Sequence, residues 1–493
     1  MLKTTNSLGA NAVKLTFSKI ITLCISLVST MLLSRFRTLE EYGTYSQLLL
    51  VINLFTTIFM LGLPNSINYF LARAESQEER RNFLSIYYTL STLLSVLLGI
   101  VLVCAIPLIE AYFSNPLIGK FAYFLAIYPW STIIASGIEN MLVVYQKTNL
   151  LAGYRVLNSV CLLGIIFFVQ LLDWSFSEYM LLLVGVNAAF AIAVYVLAHR
   201  LSGGLRPMLD KSWLKAIFVF SIPMGLASVV GTLNIEIDKL LIGRMLDTTQ
   251  QAIYSNASKE LPVTIIASSI TAVLLPQITR MIKRDKCQSA IQLWGYATEL
   301  SFICICIIVA GVFTYASDAV ELLYSEKYLP GVPVFRVYTL VLLLRCTYFG
   351  MVMNALGQSK KIFYCSVASL VFNAVLNPLL FWIMGTIGPA IATFLSMLIV
   401  LVGQLWMTAK SVEIAFRDIF PWKRLGITLL INIFLAIIFA TLKMILPLEI
   451  YMGSLLESLL LGVFWVGIYF LVMWRRAIYV WNRMNKEAQD DVD

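Results

Sequence analysis

Residues 84–108 read LSIYYTLSTLLSVLLGIVLVCAIPL, a stretch without a single charged side chain. A helix of roughly 20 mostly apolar residues is long enough to cross the hydrocarbon core of a bilayer, so this stretch predicts a transmembrane helix. Similar runs recur along the chain of 493 residues, which is 60% hydrophobic and 13% charged, with a mean hydropathy of +0.85. The runs are continuously apolar and do not alternate residue by residue, which excludes a membrane β-barrel. We therefore expect an all-α integral membrane protein.

Fourteen such runs predict fourteen transmembrane helices. They lie near residues 11–34, 46–71, 84–108, 121–145, 155–172, 178–198, 216–243, 254–279, 292–316, 333–356, 362–384, 387–409, 425–446 and 452–474. The connections after even-numbered helices, together with the C-terminal tail, contain 23 basic residues, whereas the connections after odd-numbered helices contain five. Because short cytoplasmic loops carry the excess of Lys and Arg, both termini are expected in the cytoplasm.

Short phrases recur in the sequence at a nearly constant offset. Leu33-Ser34-Arg35, followed by Tyr45-Ser46, matches Ile242-Gly243-Arg244, followed by Tyr254-Ser255, at an offset of 209 residues, and two further pairs recur at 212. These matches predict that helices 1–6 and 7–12 form two parallel six-helix lobes. The expected order is an N-lobe (1–198), a cytoplasmic linker (199–215), a C-lobe (216–410), helices 13 and 14 (411–474) and a cytoplasmic tail (475–493), disordered from residue 485.

The same phrases carry a family resemblance. Leu33-Ser34-Arg35-Phe36 leads to Glu41-Tyr42-Gly43-Thr44-Tyr45-Ser46, and Asp238-Lys239-Leu240-Leu241-Ile242-Gly243-Arg244 leads to Tyr254-Ser255. Their order and spacing resemble the polysaccharide-export branch of the multidrug/oligosaccharidyl-lipid/polysaccharide superfamily, whose members are MATE-like. The resemblance implies a flippase that moves undecaprenyl-pyrophosphate-linked oligosaccharide repeat units from the inner to the outer leaflet.

Further expectations follow from that resemblance. Transport would proceed by alternating access through a cationic central cavity, without a cofactor and without enzymatic chemistry. The protein would lie in a bacterial inner membrane. Its partners would be the bilayer and the lipid-linked glycan, and further partners would be the polymerase and the export machinery. The glycan would belong to O-antigen, capsule or exopolysaccharide; the sequence does not distinguish them.

Charged residues inside the predicted helices are the best candidates for function, because a charge at the centre of a membrane helix costs about 2.5–3.5 kcal/mol. Arg345, deep in the tenth helix, is expected to face the cavity and bind phosphate bidentately, with a structural counter-ion as the alternative. The other predicted cavity residues are Lys19, Asn53, Thr232, Lys239 and Arg336. The candidates for ion coupling are Glu139, Glu236, Asp238 and Lys259. The alternatives for these are interfacial solvation, snorkelling and, for Asp238 and Lys259, a mutual ion pair.

Several functions are excluded and others stay open. The sequence contains no GxxxxGK[ST] loop, so it does not predict an ATP-driven pump, and an ion gradient or the substrate gradient would drive transport. The single histidine excludes a multi-histidine metal site, and basic residues in short loops indicate a membrane protein and argue against nucleic-acid binding. An ion-coupled multidrug exporter and a lipid II flippase of the same superfamily remain alternatives. A membrane polymerase or ligase is less favoured, because it would be expected to carry a long outer loop.

Overall fold

The computed structural model describes residues 2–446 and 448–489, and this part of the chain is helical, without β-strands. Fourteen of its helices are long and apolar enough to cross a membrane, which confirms the predicted all-α fold and helix count. We number them as spans 1 to 14 in chain order: Lys14–Phe36, Leu39–Met60, Gln77–Cys104, Ile118–Val144, Thr148–Leu171, Phe176–Ser202, Lys211–Met245, Thr248–Lys283, Cys287–Thr314, Glu326–Arg345, Ser359–Met384, Ile387–Ser411, Trp422–Ile445 and Ser454–Glu487.

Local capping residues set several helix ends. At the start of span 2, the Thr38 hydroxyl accepts a hydrogen bond from the Glu41 amide, and the Glu41 carboxylate accepts one from the Thr38 amide. This reciprocal pair satisfies two amides that have no partner within the helix. At the start of span 7, the Asp210 carboxylate accepts hydrogen bonds from Ser212 and Trp213, which lower its pKa. Side chains of the short polar connections therefore supply partners for part of the free amides at the start of long apolar helices.

Span 2 stops earlier than its apolar run, which extends to residue 71. Leu61 and Gly62 both adopt left-handed backbone conformations, and the chain continues as a short helix, Leu63–Ser66, and a π-helical turn, Ile67–Leu71. A Cβ atom on Gly62 would lie 2.7 Å from the backbone nitrogen of Gly225 in span 7. The break therefore needs glycine for its conformation and for the close approach of span 7.

Spans 8 and 10 are also interrupted. In span 8, the helix Thr248–Ala257 ends before an irregular segment, and helix resumes through the turn Pro262–Thr264 into Ile265–Lys283. Proline lacks the amide hydrogen and restricts the preceding residue to extended backbone, which accounts for this break. In span 10, the helix Val332–Val341 passes into the 3₁₀ turn Leu342–Arg345, and helix resumes only at Met351–Ala355. Hydropathy predicted both spans as continuous, and the structure corrects that prediction.

The chain forms two compact units, Met1–Ser255 and Asn256–Asp493. In the first unit, a buried network of amides joins span 2 to the start of span 8: Gln47 donates to Gln251 (2.8 Å), and Asn115 donates to the Gln47 side-chain oxygen (2.7 Å). Span 7 belongs to this first unit, while the predicted lobes assign it to the second repeat. Sequence repeats and compact units are different properties, so the division into lobes stays a prediction.

The second unit contains a buried ion-pair cluster, which we call the Glu299 clamp. Glu299 of span 9 is 1% exposed. Its carboxylate accepts two hydrogen bonds from Arg476 of span 14 (2.5 and 3.0 Å) and a longer one from Arg424 of span 13 (3.4 Å). The clamp therefore attaches the last two spans to span 9. The helix that carries Arg476 continues to Gln489, so the predicted disorder is wrong for residues 485–489, whereas residues 490–493 lie outside the described part.

At the other end of spans 13 and 14, a second polar cluster surrounds Asp318, which lies in the short helix Ala316–Leu323. Lys443 donates to the Asp318 carboxylate at 2.5 Å, and the hydroxyls of Ser454 and Ser458 donate at 2.5 and 2.8 Å. Burial alone would raise the pKa of Asp318, but these hydrogen bonds prevail and hold the pKa below its ordinary value. This Asp318 cluster therefore contains an ionised carboxylate at neutral pH.

Candidate functional site

In the first unit, spans 2 and 7 share a polar cluster around Glu236. Lys239, one turn further along span 7, donates to the Glu236 carboxylate at 2.8 Å, and Asn53 of span 2 donates to its other oxygen at 3.2 Å. The structure thus brings together three of the residues that the sequence analysis selected. Because Lys239 already has an acidic partner, its charge is largely compensated locally, and it is a weaker attractor for an anion than an unpaired lysine.

Asp238 and Glu236 differ in environment although they are two residues apart. Asp238 is fully buried, and its carboxylate accepts a hydrogen bond from the Tyr254 hydroxyl at 2.8 Å. Glu236 remains partly accessible. Tyr254 belongs to the repeated phrase Tyr254-Ser255, so one residue of that phrase forms a hydrogen bond between spans 7 and 8. Asp238 therefore links span 7 to span 8 within the first unit.

The remaining candidates of the first unit are dispersed. Lys19 is exposed on span 1, and Thr232 is half-buried on span 7. Further along span 1, the hydroxyls of Thr22 and Ser29 donate to carbonyls of their own helix. Glu139, at the end of span 4, forms an ion pair with Arg155 and keeps 60% of its side chain exposed. Whether Glu139 takes part in ion coupling or is solvated at the interface stays a prediction.

In the second unit, Arg345 forms a two-point ion pair with Glu260. The two distances are 2.8 Å from Nη1 to Oε2 and 2.6 Å from Nη2 to Oε1. The side chains are 28% and 27% exposed, so both remain partly accessible. Arg345 is the last residue of the 3₁₀ turn in span 10, and Glu260 lies in the irregular segment of span 8. The ion pair therefore connects two interrupted membrane helices.

Glu260 was not among the residues predicted from the sequence. A signal was present, because a carboxylate inside an apolar span is costly unless it is paired. Hydropathy could not show which residue pairs with Glu260, because Glu260 and Arg345 are separated by 85 positions in the sequence. The adjacent residue Lys259 is exposed.

Arg336 occupies a different environment from Arg345. It lines an apolar cavity of about 610 Å³ that residues of spans 9, 10 and 13 form. Its guanidinium lies over the Phe313 ring at 5.7 Å, and its Nε atom is buried without a hydrogen-bond partner in the described residues. The structure therefore does not bring Arg336 together with the Arg345–Glu260 pair.

A further buried polar cluster, also absent from the sequence analysis, lies on spans 11 and 12. Asn377 donates to the side-chain oxygen of Asn373 at 2.7 Å, and Ser369 donates to the Ser396 carbonyl at 3.0 Å. The side-chain oxygens of Asn377 and Thr393 are buried without a hydrogen-bond partner among the described residues. Asn and Ser side chains on facing helices often hydrogen-bond across membrane interfaces, which accounts for part of this cluster.

The fourteen long apolar helices in the described part of the chain define the class of protein, a multi-pass membrane protein. The solved structure titled lipid II flippase MurJ, inward closed conformation, is similar over 94% of this chain and 99% of its own, with a TM-score of 0.73 and 16% identity. An inward-facing multidrug resistance MATE family transporter of the MOP superfamily is similar over 82% of this chain and 99% of its own, with a TM-score of 0.59 and 16% identity. At these identities the likeness concerns the fold.

Sequence relatives specify the family. Residues 32–333 match the family described as polysaccharide biosynthesis protein, which is more than half of the chain. The chain belongs to this family, which confirms the expected one. The teichuronic acid biosynthesis protein TuaB of Bacillus subtilis is 23% identical over 300 residues, which cover 60% of this chain and 61% of TuaB. The uncharacterised membrane protein MJ1375 of Methanocaldococcus jannaschii is 24% identical over 379 residues, which cover 72% of this chain and 87% of that protein.

Proposed function

We propose that this protein is a flippase that transfers undecaprenyl-pyrophosphate-linked oligosaccharide repeat units from the inner to the outer leaflet of a bacterial inner membrane. Membership in the polysaccharide biosynthesis family and a transporter fold support a lipid-linked glycan as cargo. The observation that carries the proposal is Arg345, an arginine within an interrupted membrane span that has one acidic partner and is still 28% exposed.

The chemistry of the cargo explains why such an arginine is useful. A diphosphate head group must leave water to cross about 30 Å of hydrocarbon, and its desolvation is costly unless cations and hydrogen-bond donors replace the water. The planar guanidinium of Arg345 offers two parallel donors that match two phosphate oxygens, and its charge does not depend on pH in the physiological range. We therefore assign the diphosphate contact to Arg345. Lys19 and Lys239 of the first unit stay separate predicted cationic residues, and Lys239 is the weaker attractor for an anion because it is paired with Glu236.

The location of the termini, the glycan produced and the transport mechanism are further parts of the proposal. The excess of basic residues in alternate loops supports a cytoplasmic location for both termini. TuaB takes part in teichuronic acid biosynthesis, as its name states, which favours a cell-surface glycan as the product here. The O-antigen, capsule and exopolysaccharide pathways all fit this proposal, and two six-helix lobes working by alternating access are the proposed mechanism.

Substitution of Arg345 tests the function. In a strain that depends on this gene for its surface glycan, Arg345→Ala should abolish the glycan while the protein stays in the membrane at normal abundance. Arg345→Lys should retain part of the activity, because it keeps the charge but loses the bidentate geometry. The control is Arg417→Ala, which removes an exposed arginine from the connection between spans 12 and 13. Normal glycan levels in the Arg345→Ala strain would refute the assignment.

A further inference from the structure

The guanidinium of Arg345 is occupied by a carboxylate in the same geometry that a phosphate group would use. Both terminal nitrogens donate to separate oxygens of Glu260, at 2.8 and 2.6 Å. Carboxylate and phosphate compete for this fork, since each presents two oxygens at a similar spacing. The diphosphate therefore cannot bind Arg345 through both nitrogens while Glu260 stays in place.

The position of the pair gives this competition a structural consequence. Glu260 lies in the irregular segment before Pro262, and Arg345 lies where the helical part of span 10 ends. These segments have lost part of the regular helical hydrogen bonding that would keep spans 8 and 10 straight. The ion pair between Glu260 and Arg345 holds the two interrupted segments together. Without it, spans 8 and 10 could move more freely relative to each other.

Few other charges can replace Glu260 as the partner of Arg345. Span 9, which packs beside both breaks, carries a single charged residue, Glu299, and that residue is bound to Arg476 and Arg424. Span 12 carries only Lys410, at its C-terminal end. Lys259, next to Glu260, has the wrong sign to pair with an arginine. An incoming anion is therefore the partner that could take the place of Glu260.

The geometry points to Glu260 as an internal counter-anion, which holds Arg345 until the diphosphate of the cargo displaces it and thereby releases the tie between spans 8 and 10. This inference rests on the proposed function and adds the residue that regulates its binding site. A ligand shifts a conformational equilibrium only if it binds one of the two states more tightly. Here the diphosphate binds Arg345 more tightly in the state in which Glu260 has left, so the cargo favours that state. The return of Glu260 to Arg345 would then favour release of the cargo.

Binding of undecaprenyl diphosphate to the purified full-length protein in nanodiscs tests the inference, with undecaprenol as the uncharged control ligand. Glu260→Gln removes the competing charge at nearly constant volume. It should bind undecaprenyl diphosphate roughly tenfold more tightly than the wild type, within the range common for coupled ligands. Undecaprenol should bind both proteins equally. The matched control, Glu413→Gln, removes an exposed carboxylate from another part of the same unit and should bind like the wild type.

A second measurement needs no substitution. Hydrogen exchange of residues 258–264 and 345–350 in the wild type should increase when undecaprenyl diphosphate is added, because the tie is released. Unchanged or slower exchange of these two segments would contradict the release of spans 8 and 10. This test uses the wild type alone, so it holds even if Glu260→Gln does not fold.

The outcomes separate the two proposals. If the wild type binds undecaprenyl diphosphate no better than undecaprenol, the proposed function fails. The function stands if the wild type prefers the diphosphate and Arg345→Gln weakens that preference. If Glu260→Gln then has the wild-type affinity, the role of Glu260 as a competitor is refuted. Weaker binding by Glu260→Gln would also refute it, since Glu260 would then position Arg345 for the ligand.

Discussion

Replacement of Arg476 by glutamine should destabilise the second unit strongly, because it removes the main partner of a buried carboxylate. Glu299 keeps 2% of its side chain exposed and would retain only the 3.4 Å contact with Arg424. Removal of one partner from a buried ion pair typically costs about 3–5 kcal/mol. Arg476 is itself 36% exposed and Arg424 compensates in part, so we expect a smaller loss than that range, about 2–3 kcal/mol.

The loss is measurable as a shift in thermal unfolding in detergent. A destabilisation of about 2–3 kcal/mol corresponds to roughly 4–12 °C for a unit of this size. The control is Arg475→Gln, which removes an exposed charge from the neighbouring position of the same helix. The double variant Glu299→Leu with Arg476→Leu should recover part of the loss, because it no longer buries a carboxylate without its main partner. Equal unfolding temperatures for Arg476→Gln and Arg475→Gln would refute the reasoning.

Two further predictions concern stability. Because the pKa of Asp318 lies below the ordinary value of 3.8, the Asp318 cluster stabilises the fold above that value and loses this contribution as the pH falls through the lowered pKa. Unfolding temperatures between pH 7 and pH 3 should therefore fall less steeply in Asp318→Asn than in the wild type, and parallel curves would contradict the assignment. Gly62→Ala should destabilise by at least about 1 kcal/mol, because the backbone is left-handed and a Cβ would clash with Gly225. Gly153→Ala, which has open space around it, is the control in the same unfolding assay.

The number and approximate position of the membrane helices could be predicted because hydropathy is a property of each local window. The pairing of Glu236 with Lys239 was within reach as well, since residues three apart lie on the same face of a helix. Arg345 stood out by its charge alone. The assignment of all these residues to cargo or ion binding stays a prediction.

Contacts between distant residues were decided by the tertiary structure. Glu260 meets Arg345, and Glu299 meets Arg476, because helices far apart in the chain pack side by side and bring one acid and one base to the same depth. No local window contains that information, although the cost of an unpaired charge in a membrane requires that some partner exist. The sequence by itself thus determined fourteen apolar spans, the few charges within them and the proline at the break in span 8. Only the tertiary structure showed the break in span 10 and which distant charges neutralise one another, because both depend on how helices far apart in the chain pack.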